Sequence, residues 1–282
     1  MVTDLDRARI RVCVLRTGGT NCDTETARAF KEFGVRVDVV QSKKMLNKNS
    51  LDQYEILVFP GGFANGDYVR AGAIWSIELT TKFGSQLKDF VESGRLIMGI
   101  CNGFQVLVEV GLLPAFDGIS EQPQMVLATN NSARYECRWT TRDEFLYLRH
   151  ESQGNCAFTR KLSEGKRVRI PIGHGEGRVE FSKDVRKEYL KRLIKNDQII
   201  FRYVREDGSY PNGEYPYSPN GSFYDIAGIC NPQGNVFGLM PHPERAFYGW
   251  QLPDFTRMSK IPRYGDGYLI FDSAIEYVEQ NI

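Results

Sequence analysis

Residues 96–107 read LIMGICNGFQVL, and this stretch decides how the rest of the chain is interpreted. The apolar residues 96–98 predict a buried strand, and the apolar spacing after Gly103 predicts a helix. Cys101 stands at the turn between them, with Gly99 before it and Gly103 after it. Because glycines let the strand and helix backbones pass closely, the pattern predicts a nucleophile elbow with a thiol at its apex.

A cysteine at such a turn gains reactivity from the helix that follows it. The thiolate is the reactive form, and the positive end of a helix dipole lowers the pKa of a cysteine thiol. The backbone N–H of Asn102 is free at the helix start and can hold a developing oxyanion. From this stretch alone, the alternative stays open that Cys101 is an ordinary small buried side chain.

Length and charge argue against several classes of protein. The 282 residues suffice for a sizeable core, and 36 basic residues nearly balance 35 acidic ones without a block of one sign. This balance argues against nucleic acid or an anionic membrane as the main partner. We find no apolar run of about 18 residues and no signal-peptide pattern. The six cysteines are scattered without metal-ligand spacing, which fits a reducing cytoplasm, and only three histidines are present.

The first half of the sequence predicts a parallel sheet flanked by helices. Strand patterns alternate there with helix patterns, which is typical of βαβ units and of the α/β class. The predicted strands are residues 10–15, 35–40, 56–59 and 96–98. The predicted helices are residues 23–33 and 73–93, with a candidate break at Gly84.

The second half predicts an antiparallel β elaboration of that mostly parallel central sheet. Short strand-like stretches follow the elbow helix at residues 125–128, 133–139, 145–148 and 168–172. Further along, we predict helices over residues 183–195 and 269–282, a strand over residues 199–204, and a hairpin of residues 225–230 and 236–240. Two stretches read as irregular loops, residues 206–222 and 249–266. We interpret residues 1–282 as a single domain.

The stretch PGGFANGDYVRAGA, residues 60–73, follows the third predicted strand. Its glycines therefore stand at the carboxyl end of a strand, where open α/β sheets place their ligands. Gly61 and Gly62 can present bare backbone N–H groups to an anion, so a second oxyanion donor is expected here. A plain strand-to-helix loop is the alternative.

The stretch PHPER, residues 241–245, ends the second strand of the predicted hairpin. His242 and Glu244 lie two positions apart, so on an extended segment their side chains leave on the same face. A base that is oriented by a carboxylate is what a thiol nucleophile needs. A structural His–Glu pair at a strand end is the alternative. With Cys101 upstream and few histidines, we favour the functional interpretation.

The pattern GICNGFQ together with PHPER resembles the class I (triad) glutamine amidotransferase family. The chain resembles in particular the branch formed by the glutaminase components of phosphoribosylformylglycinamidine synthases, in the purine pathway. That branch is indicated by PGGFANGDYVRAGA, GICNGFQVL with GLLP, RIPIGHGEGR, SPNGS, IAGICNPQGNVFGLMPHPER and IFDSAIEY. The resemblance covers almost the whole chain, although residues 206–220 and 249–266 look longer than in the compact family form.

The resemblance implies a flavodoxin-like class I glutaminase fold and a role for each motif. Cys101 would attack the side-chain amide of L-glutamine, His242 would relay a proton to the departing ammonia, and Glu244 would orient His242. Backbone N–H groups would hold the oxyanion, namely those of Gly62 and Asn102. The amino-acid end of glutamine would be gripped by Gln105, Gly173, His174, Gly175 and Glu176.

The resemblance also implies partners. Nothing in the sequence resembles an ATP site or a ribonucleotide site, so we expect no cofactor and no metal on this chain. We expect ATP and Mg²⁺ on a formylglycinamide ribonucleotide synthetase subunit that uses the ammonia, with a small accessory subunit beside it. The chain would be a cytoplasmic subunit of this multi-chain enzyme, with no nucleic acid or membrane as partner.

Three alternatives stay open at this point. Within the family, the main competitor is a glutaminase of CTP, GMP or carbamoyl-phosphate synthesis. A cysteine hydrolase with the same elbow is a second alternative, although it would not need PHPER or the glutamine at Gln105. A non-catalytic regulatory module is the third, but its usual mark is loss of the cysteine or the histidine, and both are present.

Overall fold

The computed structural model describes residues 7–45, 51–140 and 144–282, and most of its strands join one large sheet. The strands of the described residues are β1 (Arg11–Arg16), β2 (Arg36–Gln41), β3 (Ile56–Phe59), β4 (Leu96–Ile100), β5 (Val126–Thr129), β6 (Glu136–Arg138), β7 (Tyr147–His150), β8 (Arg167–Arg169), β9 (Ile172–His174), β10 (Glu176–Glu180), β11 (Ile199–Val204), β12 (Ile226–Cys230) and β13 (Val236–Leu239).

The large sheet has nine strands in the order β2-β1-β3-β4-β13-β12-β11-β7-β8. From β2 to β13 the neighbours pair in parallel, and from β13 to β8 they pair antiparallel. The predicted α/β class, with a parallel sheet and an antiparallel elaboration, is confirmed. The elaboration continues the central sheet because β13 runs parallel to β4, so its hairpin partner β12 must run the opposite way. Two small antiparallel sheets, β5–β10 and β6–β9, lie apart from it.

The helices lie between and after the strands, largely where the apolar spacing predicts them. The α-helices of the described residues are α1 (Asp23–Lys31), α2 (Ser42–Met45), α3 (Ala73–Glu92), α4 (Asn102–Glu109), α5 (Arg186–Lys195) and α6 (Tyr268–Asn281). The short α2 is a single turn that the sequence pattern does not predict. None of these described helices is long and apolar enough to cross a membrane.

Helix α3 runs through Gly84 without the break that the sequence suggests. A glycine in a helix costs about 1 kcal/mol relative to alanine, which one position in a long amphipathic helix can bear. The buried side chains of α3 include Trp75 and Phe83, and the indole of Trp75 packs edge-on against Phe59 at 5.5 Å between ring centroids. Packing of this apolar face therefore outweighs the local preference of Gly84.

The parallel strands β1, β3, β4 and β13 end along the same edge of the sheet. The segments that leave this edge are the loop after β1, the PGGF stretch, the elbow at Cys101 and the PHPER stretch. Open α/β sheets bind their ligands outside the carboxyl ends of the strands. The topology thus gathers motifs from the two ends of the chain into one place.

Candidate active site

Cys101 connects β4 to α4 in a backbone conformation that is rare for a residue with a side chain. Its φ is 51° and its ψ is −106°, and such conformations cost about 1–3 kcal/mol. A Cβ atom on Gly103 would lie 1.8 Å from the carbonyl oxygen of Phe59, and one on Gly99 would lie 2.7 Å from the backbone of Gly103. Both glycines are therefore needed where strand and helix cross, and the geometry of the predicted elbow is present.

His242 and Glu244 form a buried pair just after β13. Nδ1 of His242 lies 2.6 Å from Oε1 of Glu244, and each residue is 1% exposed. The extended segment that the sequence predicts ends at His242, because Pro243–Ala246 form a short 3₁₀ helix. Proline favours the first position of a helical turn, since its φ is already fixed and its missing N–H is not needed there. The turn, rather than strand alternation, brings the two side chains together.

The surroundings of His242 favour its protonated form. Burial by itself lowers the pKa of the imidazole, but the charges of Glu244 and Cys101 outweigh burial and hold that pKa well above its ordinary value. Nε2 of His242 is buried and has no hydrogen-bond partner among the described residues. It lies on the side of Gly173, where an added Cβ would be 3.7 Å from Nε2. The imidazole thus has one nitrogen fixed by a carboxylate and the other free for proton transfer.

The thiol of Cys101 is nearly buried and faces the backbone of Gly173. Its Sγ donates a hydrogen bond to the carbonyl oxygen of Gly173 at 3.4 Å, and the residue is 4% exposed. The hydroxyl of Tyr135 donates to the same carbonyl at 2.8 Å. The Tyr135 ring also lies 5.8 Å from that of Phe63, measured between centroids. Side chains from two different loops therefore close the space next to the nucleophile.

A small cavity of about 100 Å³ adjoins Cys101. It is lined by the predicted residues Gly62, Gln105, Gly173, His174, Gly175 and Glu176, and also by Phe63, Asp67, Ala71 and Tyr135. The structure therefore brings the predicted nucleophile and the predicted glutamine-binding residues to one space. The side chains differ, however, in how free they are to contact a ligand.

The amide of Gln105 is already occupied by the protein. Nε2 donates to the carbonyl oxygen of Glu176 at 2.5 Å, and Oε1 accepts from Nδ2 of Asn102 at 2.9 Å. The side-chain oxygen of Asn102 in turn accepts from the N–H of Ala64 at 3.0 Å. Through Asn102, Gln105 therefore connects the segment at Glu176 to the loop after β3 and positions both. Its amide is not free to contact a ligand.

The imidazole of His174 is fixed on the side of Asn130. Nδ1 lies 3.2 Å from Oδ1 of Asn130, and the N–H of Gly177 donates to the same oxygen at 3.2 Å. Burial, and secondarily the charge of His242, lowers the pKa of His174 to about 3, so this side chain is neutral. His174 therefore borders the cavity as a neutral group that holds the glycine-rich turn.

Asp67 is a cavity residue that the sequence analysis does not identify. Burial, followed by the charge of Glu176, raises the pKa of Asp67 to about 6. Nδ2 of Asn102 donates to Oδ1 of Asp67 at 3.1 Å, and the N–H of Ala71 donates to Oε2 of Glu176 at 3.0 Å. Two carboxylates thus border one small space. The sequence feature that could have identified Asp67 is its position as an acidic residue in the loop after the third strand.

The two backbone amides predicted for the oxyanion are compatible with that role. Gly62 lines the cavity with a φ of 147°, and a Cβ there would lie 2.7 Å from the nitrogen of Asn21. Asn102 begins α4 directly after the nucleophile. Within the described part of the chain, neither of these N–H groups donates a hydrogen bond. The oxyanion role of both stays a prediction.

A second thiol lies on the Nδ1 side of His242. Sγ of Cys22 is 3.9 Å from Nδ1, and Nη2 of Arg245 donates to the same sulfur at 3.0 Å. Burial raises the pKa of the Cys22 thiol, partly offset by the nearby imidazole. Residues 22 and 242 are far apart in the chain and join no common motif. Sequence reasoning therefore has no signal for this contact.

Comparisons with known proteins agree with these features. Residues 9–278 match the family described as CobB/CobQ-like glutamine amidotransferase domain. The chain is 47% identical over 286 residues to the phosphoribosylformylglycinamidine synthase subunit PurQ of Archaeoglobus fulgidus, covering 98% of this chain and 100% of the relative. A subunit of the same name from Methanothrix thermoacetophila is 40% identical over 280 residues, covering 96% and 99%.

A solved structure extends the comparison to three dimensions. The structure of PurLQS from Thermotoga maritima contains a chain that is 33% identical to this one. The superposition has a TM-score of 0.69 and covers 96% of this chain and 99% of the other. A superposition of this quality over nearly the whole of both chains shows that they share one fold.

Proposed function

The chain belongs to the CobB/CobQ-like glutamine amidotransferase family, and from this membership we propose that it is the glutaminase subunit of a phosphoribosylformylglycinamidine synthase. In this role it hydrolyses L-glutamine to glutamate and ammonia. The observation that carries the proposal is the group of Cys101, His242 and Glu244 at the carboxyl edge of the sheet, beside a cavity lined by the motifs of the family.

The reaction follows from this arrangement. The thiolate of Cys101 attacks the side-chain amide carbon of glutamine and forms a carbon–sulfur bond. The N–H groups of Gly62 and Asn102 stabilise the oxyanion, and each such donor is typically worth about 3 kcal/mol. His242 then gives its proton to the departing nitrogen, and ammonia leaves behind a thioester. Water, deprotonated by His242, attacks the thioester and releases glutamate, which restores the thiol.

The amino-acid end of glutamine lies in the cavity. The segment of residues 173–176 supplies backbone groups there, held by the amide of Gln105 and the imidazole of His174. The carboxylates of Asp67 and Glu176 receive the α-ammonium group, since paired acidic groups in a small space favour a cation. The PHPER stretch and Gln105, which a cysteine hydrolase would not need, favour a glutaminase over that alternative.

The ammonia passes to a formylglycinamide ribonucleotide synthetase subunit, which makes formylglycinamidine ribonucleotide in de novo purine biosynthesis. Support comes from the relatives, which are named as subunits of this synthase, and from the PurLQS designation of the solved structure. ATP and Mg²⁺ belong to that partner, a small accessory subunit completes the enzyme, and this chain needs no cofactor of its own. Its six free cysteines suit the reducing cytoplasm, where we place it.

The test is reconstitution with the synthetase and accessory subunits of the same organism. We expect the complex to make formylglycinamidine ribonucleotide from either glutamine or ammonium salts. Cys101→Ser should abolish the glutamine-dependent rate and leave the ammonia-dependent rate unchanged. Product formation only with a CTP or GMP synthetase partner would assign the chain to the competing branch. Unchanged glutamine use by Cys101→Ser would refute the catalytic assignment.

A further inference from the structure

Three metal-ligating groups converge on the Nδ1 side of His242, away from the nucleophile. Sγ of Cys22, Nδ1 of His242 and a carboxylate oxygen of Glu244 all lie within 4.8 Å of one another. None of the three residues is more than 1% exposed. They come from the loop after β1 and from the segment after β13, whose strands end at the same edge of the sheet.

We propose that Cys22, His242 and Glu244 form an inhibitory binding site for a thiophilic divalent cation of the Zn²⁺ class. The inhibitory effect rests on the proposed glutaminase function, whereas the binding does not. Sulfur, imidazole nitrogen and carboxylate oxygen are the donor types that Zn²⁺ takes. Water would supply the fourth position, as in zinc sites with three protein ligands.

The donor atoms need only small shifts to surround a cation. A tetrahedral Zn²⁺, with ligands at about 2.3 Å for sulfur and about 2.05 Å for nitrogen, separates the two donors by about 3.5 Å. Sγ of Cys22 is 3.9 Å from Nδ1 of His242. The equivalent nitrogen–oxygen separation is about 3.3 Å, against the present 2.6 Å between His242 and Glu244. These two distances therefore change by less than an ångström, and the third, between Sγ of Cys22 and the Glu244 carboxylate, is within 4.8 Å.

Two observations indicate that the site formed by Cys22, His242 and Glu244 is suited to a positive charge. Oε2 of Glu244 is buried and has no hydrogen-bond partner among the described residues, so the carboxylate has an oxygen to offer. The guanidinium of Arg245 already contacts the same ligands, with Nη2 at 3.0 Å from Sγ of Cys22 and Nε at 3.9 Å from Glu244. The Arg245 side chain is 36% exposed. It can therefore swing into solvent and admit a metal ion in its place.

Binding there would stop catalysis without touching Cys101. A metal on Nδ1 replaces the hydrogen bond from His242 to Glu244. The proton of the neutral imidazole must then sit on Nε2, so this nitrogen can no longer accept a proton from the thiol. Removal of the metal by a chelator restores the original pair, because no covalent bond within the protein has changed.

The first experiment measures inhibition of the reconstituted complex by Zn²⁺, each variant being normalised to its own metal-free glutaminase rate. Cys22→Ser should raise the half-inhibitory Zn²⁺ concentration by about tenfold or more, because a ligand is lost. Arg245→Gln should lower it, because a competing cation is removed. Cys156→Ser, a buried thiol elsewhere, should leave it unchanged, and a chelator selective for Zn²⁺ over Mg²⁺, such as TPEN, should reverse the inhibition. Equal sensitivity of Cys22→Ser and wild type would overturn the proposal.

The second experiment measures binding without any use of activity. Cys101 and the exposed Cys137 are first replaced, since each thiol could hold metal itself. The background also carries Cys156→Ser, because Cys156 contacts Cys230 and these two thiols could hold metal together. In this Cys101→Ala/Cys137→Ser/Cys156→Ser background, Cd²⁺ should still produce its thiolate charge-transfer absorption, and adding Cys22→Ser should abolish it. An absorption that survives the added Cys22→Ser refutes the site. If the chain proves not to be a glutaminase, this readout still decides whether the cation binds.

Discussion

Nδ1 of His242 and Oε1 of Glu244 are 2.6 Å apart in a fully buried pair, and although burial lowers the pKa of the imidazole, the charges of Glu244 and Cys101 together keep that pKa high. The pair thus sets both the orientation of the imidazole and the pH range over which it can act. Orientation and charge can be separated by substitution, because glutamine keeps the shape of Glu244 and removes its charge.

His242→Ala should lower glutaminase kcat by about a thousandfold or more, because general acid–base catalysis is lost. Glu244→Gln should cost less, since proton transfer remains available. In this variant, the limb of the pH–rate profile that reports the ionisation of His242 should also move to lower pH, because the Glu244 charge that raises the pKa of His242 is gone. Ammonia-dependent synthesis by the complex is the control. Equal and mild losses in both variants would mean that the pair is structural.

Gly103→Ala should destabilise the protein by about 3 kcal/mol or prevent folding, because the new methyl would lie 1.8 Å from the carbonyl oxygen of Phe59. Gly84→Ala is the matched control. A Cβ there meets nothing within 4 Å in the middle of α3, so it should stabilise by about 1 kcal/mol. The measurement is urea unfolding of both variants. Similar midpoints would contradict the close crossing of β3 and α4.

The sequence predicts those features that local chemistry determines. The elbow at Cys101 follows from glycine spacing, and the Nδ1 partner of His242 follows from the PHPER motif. The sequence does not predict the 3₁₀ turn after His242, because the alternation of side chains along a strand is assumed to continue through Pro243. The contact of Cys22 with His242 is missed because it depends on which strands neighbour each other in the sheet. That information is non-local, as is the continuation of the parallel sheet into an antiparallel one.

Asp67→Asn should raise KM for glutamine, because the carboxylate that faces the α-ammonium group is lost. In the wild type, KM should rise as pH falls through about 6, where Asp67 takes up a proton. The variant should lack this pH step. Asp207→Asn, an exposed position, is the control and should leave KM unchanged. An unaltered KM profile in Asp67→Asn would remove Asp67 from the binding site.

The same raised pKa makes a prediction about stability. A carboxyl whose folded pKa lies above its unfolded pKa stabilises the fold at low pH, and this contribution is lost as pH rises through the folded value of about 6. Asp67→Asn should therefore gain stability relative to the wild type at pH 8 and not at pH 4. The comparison is thermal or urea unfolding of the ligand-free chain at the two pH values. A constant difference across this range would argue against a buried ionisable Asp67.

The isolated chain should hydrolyse glutamine poorly and should be activated by its synthetase partner. Ammonia released into water is protonated and no longer reaches the acceptor. A glutaminase that has no acceptor site of its own therefore avoids wasting glutamine if a partner with a bound acceptor activates it. The structure indicates a mechanism for this activation. The Cys101 thiol donates a hydrogen bond to the carbonyl oxygen of Gly173, and the hydroxyl of Tyr135 donates to the same oxygen and holds it in place. Tyr135 is 51% exposed, so a docking partner can reach it.

Tyr135→Phe should therefore raise kcat/KM of the isolated chain by about fivefold, the equivalent of one neutral hydrogen bond of about 1 kcal/mol. The hydroxyl no longer fixes the Gly173 peptide, so the peptide can turn and release the thiol. In the complex with acceptor bound, the same variant should match the wild type, because docking has already moved this segment. Tyr248→Phe, at a surface contact with Glu32, is the control. If the isolated wild type already hydrolyses glutamine at the rate of the complex, the partner does not activate it. That result would not affect the assignment of Cys101 as the nucleophile.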